Sequence, residues 1–331
     1  MPSLALLALG LLAGIVSSAS AYPYRNGSRL DQIRSMYAWE GFVYSITACQ
    51  SQEEMTRDFT RMKSRGARTV ITFDFCEDGA DVGYYDDVIL AAERAEMFVI
   101  PLAWTLPIHV INQNYTANDT FLIKSVPRIL AVTEAVIRNP GPVLAVAVGD
   151  EPLYDNDAGS PSALASYVTS MRANFTSAGL TIPISISELA YGWQSSSGNI
   201  TDLASQLDFF MINEFPYFAQ NAEAGGDPST WTNFLADLEY FEGLAGGRPL
   251  LVTQTGWPSN EDEFAPNSPA VVASVASEKA YWDLLDGHCE DYFKLKNIGW
   301  MWRSYRDDIE GWGVVELNGT DKWEWEARVR C

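Results

Sequence analysis

Several carboxylates in this chain follow short apolar runs: Asp74, Asp150, Glu151, Glu188 and Glu214. Aromatic residues crowd the same segments, among them Trp104, Tyr191, Trp193, Tyr217, Trp257, Trp302 and Tyr305. Sugars present C–H faces that lie on aromatic rings, and glycosidic cleavage needs a carboxyl proton donor, so the combination suggests a carbohydrate cleft. Any one of these aromatics is explained more simply as packing. Glu151 stands out because it follows the apolar run 142–148, sits beside Asp150 and precedes Pro152. A like-charged neighbour in a partly buried cleft raises a carboxyl pKa, as a general acid requires. An acid favoured by a helix N-terminus competes on equal terms. A second stretch, residues 250–259, is an apolar β-type run that meets a neutral amide at Gln254 before Gly256, Trp257 and Pro258 turn the chain away.

Such side chains need a frame that collects strand ends. Short β-type runs near residues 41–45, 69–73, 97–102, 142–148, 182–187, 209–213, 250–255 and 298–302 alternate with helical patterns. One helix begins at a capping box, Ser51 with Glu54 three residues on, and ends at Gly66. Others are expected over 88–95, 121–138, 161–175, around Leu203, over 231–241 and over 269–285, and residues 22–34 read as an irregular lead-in arm. About eight β-then-α units predict a parallel sheet closed into one (β/α)8 barrel of the TIM type, whose functional residues gather after the strand C-termini. An open doubly wound sheet usually carries a Gly-rich phosphate turn, and none is present.

Two motifs sharpen this. Val148-Gly149-Asp150-Glu151-Pro152-Leu153-Tyr154 and Thr253-Gln254-Thr255-Gly256-Trp257-Pro258-Ser259 resemble the signatures of glycoside hydrolase family 17, whose fungal members act on cell-wall β-1,3-glucans. The similarity extends through Gly41 to Ser51, Asn213-Glu214-Phe215-Pro216-Tyr217 and the segment from Tyr281 to Glu290. The resemblance implies a retaining mechanism with Glu151 as acid/base and Gln254 at the nucleophile position. It further implies sugar contacts from Asp150, Glu214, Tyr217, Trp257, Trp302 and Arg303. The family usually has Asn where this chain has Asp150, Glu where it has Gln254, and an acidic run after the last strand where it has Arg303. A retaining mechanism needs a second carboxylate about 5 Å from the acid, and an uncharged amide cannot replace it. The expectation is therefore a protein directed at β-1,3-glucan that resembles a hydrolase or transglycosylase, with Glu214, then Glu188 and Glu261, as substitute bases. The alternative is a catalytically inactive β-glucan binder.

Composition bounds the setting. The 331 residues are 47% hydrophobic and carry a formal net charge of −21, which disfavours nucleic acid and anionic membranes. Residues 1–21 read as a secretion signal, with an apolar core and Ala19-Ser20-Ala21 before the cut, leaving the barrel at 22–331. No membrane anchor is expected. Sequons at Asn26, Asn114, Asn118, Asn174, Asn199 and Asn318 predict a glycosylated extracellular or cell-wall protein. Four cysteines suit an oxidising compartment and allow three pairings in principle. Cys49 and Cys76 each follow one of two consecutive strands, so they are expected to pair, leaving Cys289 with Cys331. Only His109 and His288 are present and there is no Cys-x-x-Cys, so neither a metal nor a cofactor is expected.

Overall fold

The computed structural model describes residues 27–107 and 120–331. The sequence expectations for the secretion signal, for His109 and for Asn26, Asn114 and Asn118 lie outside them. The strands are β1 (Ala38–Ser45), β2 (Thr69–Phe73), β3 (Phe98–Ile100, resumed as Leu102–Ala103), β4 (Val146–Asp150), β5 (Ile184–Glu188), β6 (Phe210–Glu214), β7 (Leu250–Thr255) and β8 (Gly299–Trp302). Every neighbouring pair is parallel. The first half of β3 pairs with β2 and the second half with β4, so the sheet closes into the expected (β/α)8 barrel. Pro101 causes the break. It has no N–H to give a ladder, and the next N–H, of Leu102, is taken by Thr72 Oγ1 at 2.9 Å.

The outer layer is α2 (Gln52–Ser64), α3 (Val82–Arg94), α4 (Val126–Arg138), α5 (Pro161–Ser177), α6 (Ala190–Ser195), α7 (Ile200–Gln206), α8 (Pro228–Ala245) and α9 (Val275–Gly287), preceded by α1 (Arg29–Arg34). The capping box at Ser51 and Glu54 forms as expected. The lead-in arm does not stay irregular. Ser28 and Asp31 make a second capping box that starts α1. The helix expected from residue 269 begins only at Val275, because Ser274 is its N-cap, accepting from Ser277 N. Strand β4 likewise begins at Val146 and not at Pro142.

Both disulfides join as expected, Cys49 with Cys76 and Cys289 with Cys331. The second ties the C-terminal segment to the turn after α9, and Trp325 of that segment packs edge-on against Phe42 of β1 at 5.2 Å and near Trp39. Lys322 is buried and its Nζ donates to Asp307 at 2.9 Å and to Ser259 at 2.8 Å. That contact fastens the loop after β8 to the loop after β7.

Candidate active site

Four strand ends converge at the mouth. Asp150 ends β4, Asn213 lies near the end of β6, Gln254 near the end of β7, and Arg303 immediately follows β8. The ladders slip between Ala147 and Asp150, between Ile212 and Asn213, and between Val252 and Thr255, so each of these strands is re-aimed where it reaches the mouth. Gly149 has φ +91°, and a Cβ there would lie 2.3 Å from Thr105 Oγ1, so only glycine fits. Glu151 follows in the left-handed region at φ 53°, which costs a non-glycine residue about 1 kcal/mol or more. Its N–H donates to Ser187 O at 2.7 Å. These left-handed residues break the usual alternation of strand side chains, and both carboxyls reach the same amide.

That amide belongs to Asn213. Its Nδ2 donates to Asp150 Oδ1 at 3.0 Å and to Glu151 Oε1 at 3.0 Å. Its Oδ1 accepts from Ser187 Oγ at 2.6 Å. Gln254, which is 0% exposed, donates from Nε2 to Asp150 Oδ1 and more weakly to Ser187 Oγ at 3.4 Å. Gln254 Oε1 accepts from Arg303 Nη1 at 3.1 Å. A guanidinium can only donate and a carboxylate can only accept, so the amide of Gln254 has one orientation that satisfies both.

Burial raises the pKa of Asp150, opposed by the charge of Arg303 and by hydrogen bonds from Asn213 and Gln254. Burial, reinforced by the neighbouring Asp150, pushes Glu151 up to about 7. Cation and amide donors converge on Asp150, so Glu151 is the member of the pair left holding a proton. The Arg303 guanidinium lies over Phe73 at 4.3 Å and Phe215 at 5.5 Å, sheathed by aromatic faces.

Other residues expected to contact sugar lie elsewhere. Tyr217 is buried with its hydroxyl donating to Phe264 O at 2.9 Å, edge-on to Trp257. Trp257 is buried with Nε1 bonded to Val272 O at 3.0 Å, and Trp302 is buried against Trp282 and Tyr281. Trp302 packs between the barrel wall and α9, Tyr217 and Trp257 pack among the loops after β6, β7 and β8, and all three rings are fully buried. Glu214 is also buried and points outward. The Asp237 carboxylate of α8 lies beside it, and burial holds its pKa well above the ordinary range. Strand alternation explains this, since Asn213 turns inward and its neighbour must turn out. Neither Glu214 nor Glu188 is placed to serve as a substitute base, because Glu188 is buried and bound by three backbone N–H groups. Asn213 and Ser187 were not singled out in the sequence. The signal was there in Asn213-Glu214, a polar pair at a strand end of which only one can face the mouth. The sequons at Asn174, Asn199 and Asn318 are all exposed.

Comparison with known proteins adds a family. The BtgE/BtgC glycoside hydrolase domain matches residues 39–311. A probable glucan endo-1,3-beta-glucosidase of Aspergillus niger is 27% identical over 152 residues, covering 43% of this chain and 32% of its own length. The chain thus spans about a third of the length of the curated relatives it matches. Among solved structures, the glycoside hydrolase family 17 β-1,3-glucanosyltransferase of Rhizomucor miehei aligns over 90% of this chain and 98% of its own, with TM-score 0.65 and 21% identity. An active-site mutant of that enzyme bound to laminaritriose aligns over 87% of this chain and 98% of its own, with TM-score 0.65 and 23% identity.

Proposed function

Because the chain belongs to the family of the BtgE/BtgC glycoside hydrolase domain, we propose that its mouth takes up β-1,3-glucan and, as the sequence stands, holds it without retaining turnover. The observation that carries this is the buried amide of Gln254, bonded on one side to Asp150 and on the other to Arg303. Double displacement needs an ionised carboxylate at the nucleophile position, to bond the anomeric carbon and leave a glycosyl ester. An amide has no negative charge to stabilise an oxocarbenium-like centre. The resemblance to family 17 makes Asp150 and Gln254 an exchanged pair, with amide on β4 and carboxylate on β7 becoming carboxylate on β4 and amide on β7. In this chain the amide on β7 donates to the carboxylate on β4. Arg303 then supplies the cation that the displaced negative charge on Asp150 requires.

Substrate class is supported by the relatives, one named for endo-1,3-glucan cleavage and another solved with laminaritriose. Secretion and glycosylation at Asn174, Asn199 and Asn318 fit a target in the cell wall. A second reading, hydrolysis or glucosyl transfer, is favoured by Glu151, whose carboxyl is pushed up to about 7 and so remains poised as an acid. The test is to incubate the purified protein with linear β-1,3-glucan, following reducing ends and transfer products while measuring binding by calorimetry. Binding without products supports the proposal. Products that vanish in Glu151→Gln establish the second reading, and absence of both excludes β-1,3-glucan as the ligand.

A further inference from the structure

The loops after β4 and β5 meet on one buried group. Glu188, the last residue of β5, accepts at Oε2 from Leu153 N at 2.7 Å and Tyr154 N at 3.3 Å, and at Oε1 from Leu189 N at 2.9 Å. Gly192 closes over it, since a Cβ there would lie 2.2 Å from Oε1 and 3.1 Å from Tyr154 N. A carboxylate occupied in this way is a clamp between two loops. It fixes the backbone of Tyr154 directly and that of Tyr191 through Leu189 and the start of α6. The two rings meet edge to face, with centroids 6.0 Å apart and planes inclined by 63°. Both remain largely in solvent, Tyr154 at 52% and Tyr191 at 61% exposure. Core packing does not account for two aromatic rings held against each other on clamped loops and left wet. Tyr154 shares its loop with Glu151, three residues earlier.

We infer that Tyr154 and Tyr191 form a glucosyl-binding platform on the rim, continuing the cleft beyond the sugar at Glu151, with Glu188 as its positioning residue; this rests on the β-glucan reading above. Each ring offers a flat apolar face to the C–H face of a pyranose and a hydroxyl at its edge for a sugar hydroxyl. The two faces are not coplanar, which suits successive residues of a curved β-1,3-linked chain better than a flat β-1,4-linked ribbon.

The test is calorimetric titration of the full protein with laminari-oligosaccharides from two to six units, with cellohexaose alongside. In the unchanged protein, affinity rises with length. Tyr154→Ala with Tyr191→Ala is expected to weaken the hexasaccharide about tenfold, or about 1.4 kcal/mol, and to leave the disaccharide unchanged. Tyr154→Phe with Tyr191→Phe keeps the stacking faces and most of the affinity. Glu188→Gln is expected to flatten the length dependence without changing disaccharide affinity, a pattern that general loss of stability does not produce. If every length still binds the double alanine variant as tightly, the platform is refuted and the β-glucan reading stands. If no oligosaccharide binds the unchanged protein, both fall. Equal or tighter binding of cellohexaose overturns the fit to a curved chain.

Discussion

Gln254 Nε2 donates to Asp150 Oδ1, while Gln254 Oε1 accepts from Arg303 Nη1 at 3.1 Å. One neutral amide therefore stands between a buried cation and a buried anion, in contact with both. Replacing it by Glu alone sets a second carboxylate against Asp150. Gln254→Glu is expected to destabilise the protein by about 1–3 kcal/mol at neutral pH, since the donor Asp150 needs is lost and a like charge replaces it. Adding Asp150→Asn restores donor and acceptor in reversed order and should recover most of the loss. Chemical denaturation of the two variants beside the parent checks this.

Arg303 balances Asp150 inside an aromatic sheath. Arg303→Met leaves Asp150 buried with amide donors but no cation, and is expected to cost about 3 kcal/mol at pH 7. In Asp150→Asn protein the same change should cost less, and a double-mutant cycle on denaturation midpoints measures the coupling. Equal costs in the two backgrounds refute the pairing.

Lys322 is a test of the fastening between the loops after β7 and β8. Its Nζ donates to Asp307 and Ser259 and lies 3.5 Å from Glu278, whose carboxyl is buried. Lys322→Met removes the buried cation that Asp307 and Ser259 share and should cost on the order of 3 kcal/mol at neutral pH. Melting temperatures of the variant and the parent at neutral pH check it.

Stability as a whole should fall as pH rises from about 4 to 8. Burial raises Asp157 to about 8 and Glu40 to about 8. In that window the unfolded chain has released these protons while the folded chain keeps them, so the folded state binds more and loses stability with rising pH. Each such group contributes up to about 1.4 kcal/mol per pH unit. Asp157 accepts from Thr105 Oγ1 at 2.5 Å, an acceptor that Asn retains. Asp157→Asn is therefore expected to flatten the fall in melting temperature, and an unchanged slope contradicts the assignment.

The barrel was legible because eight apolar runs alternate with helical spacing, and capping at Ser51 and the strand-end cysteines follow from local chemistry. The carboxyl at Glu151 was legible for the same reason, since a strong strand ends beside it. What the sequence hid is which way a side chain turns at a strand end. Trp302 and Glu214 sit at the right positions along the chain, yet alternation aims them into the barrel wall, and Tyr217 and Trp257 are buried among the rings of neighbouring loops, while Asn213 and Ser187 face the mouth. The break of β3 at Pro101, which closes the barrel, could be read only from the ladder on each side.

The most direct measurement compares reducing-end release from linear β-1,3-glucan by the unchanged protein, Gln254→Glu, and Gln254→Glu with Asp150→Asn. The exchanged pair predicts background release by the unchanged protein and release by the double variant at least about tenfold above the single, a difference of about 1.4 kcal/mol in the barrier. Glu151→Gln should abolish that gain. Robust release by the unchanged protein, lost on Glu151→Gln, would contradict it.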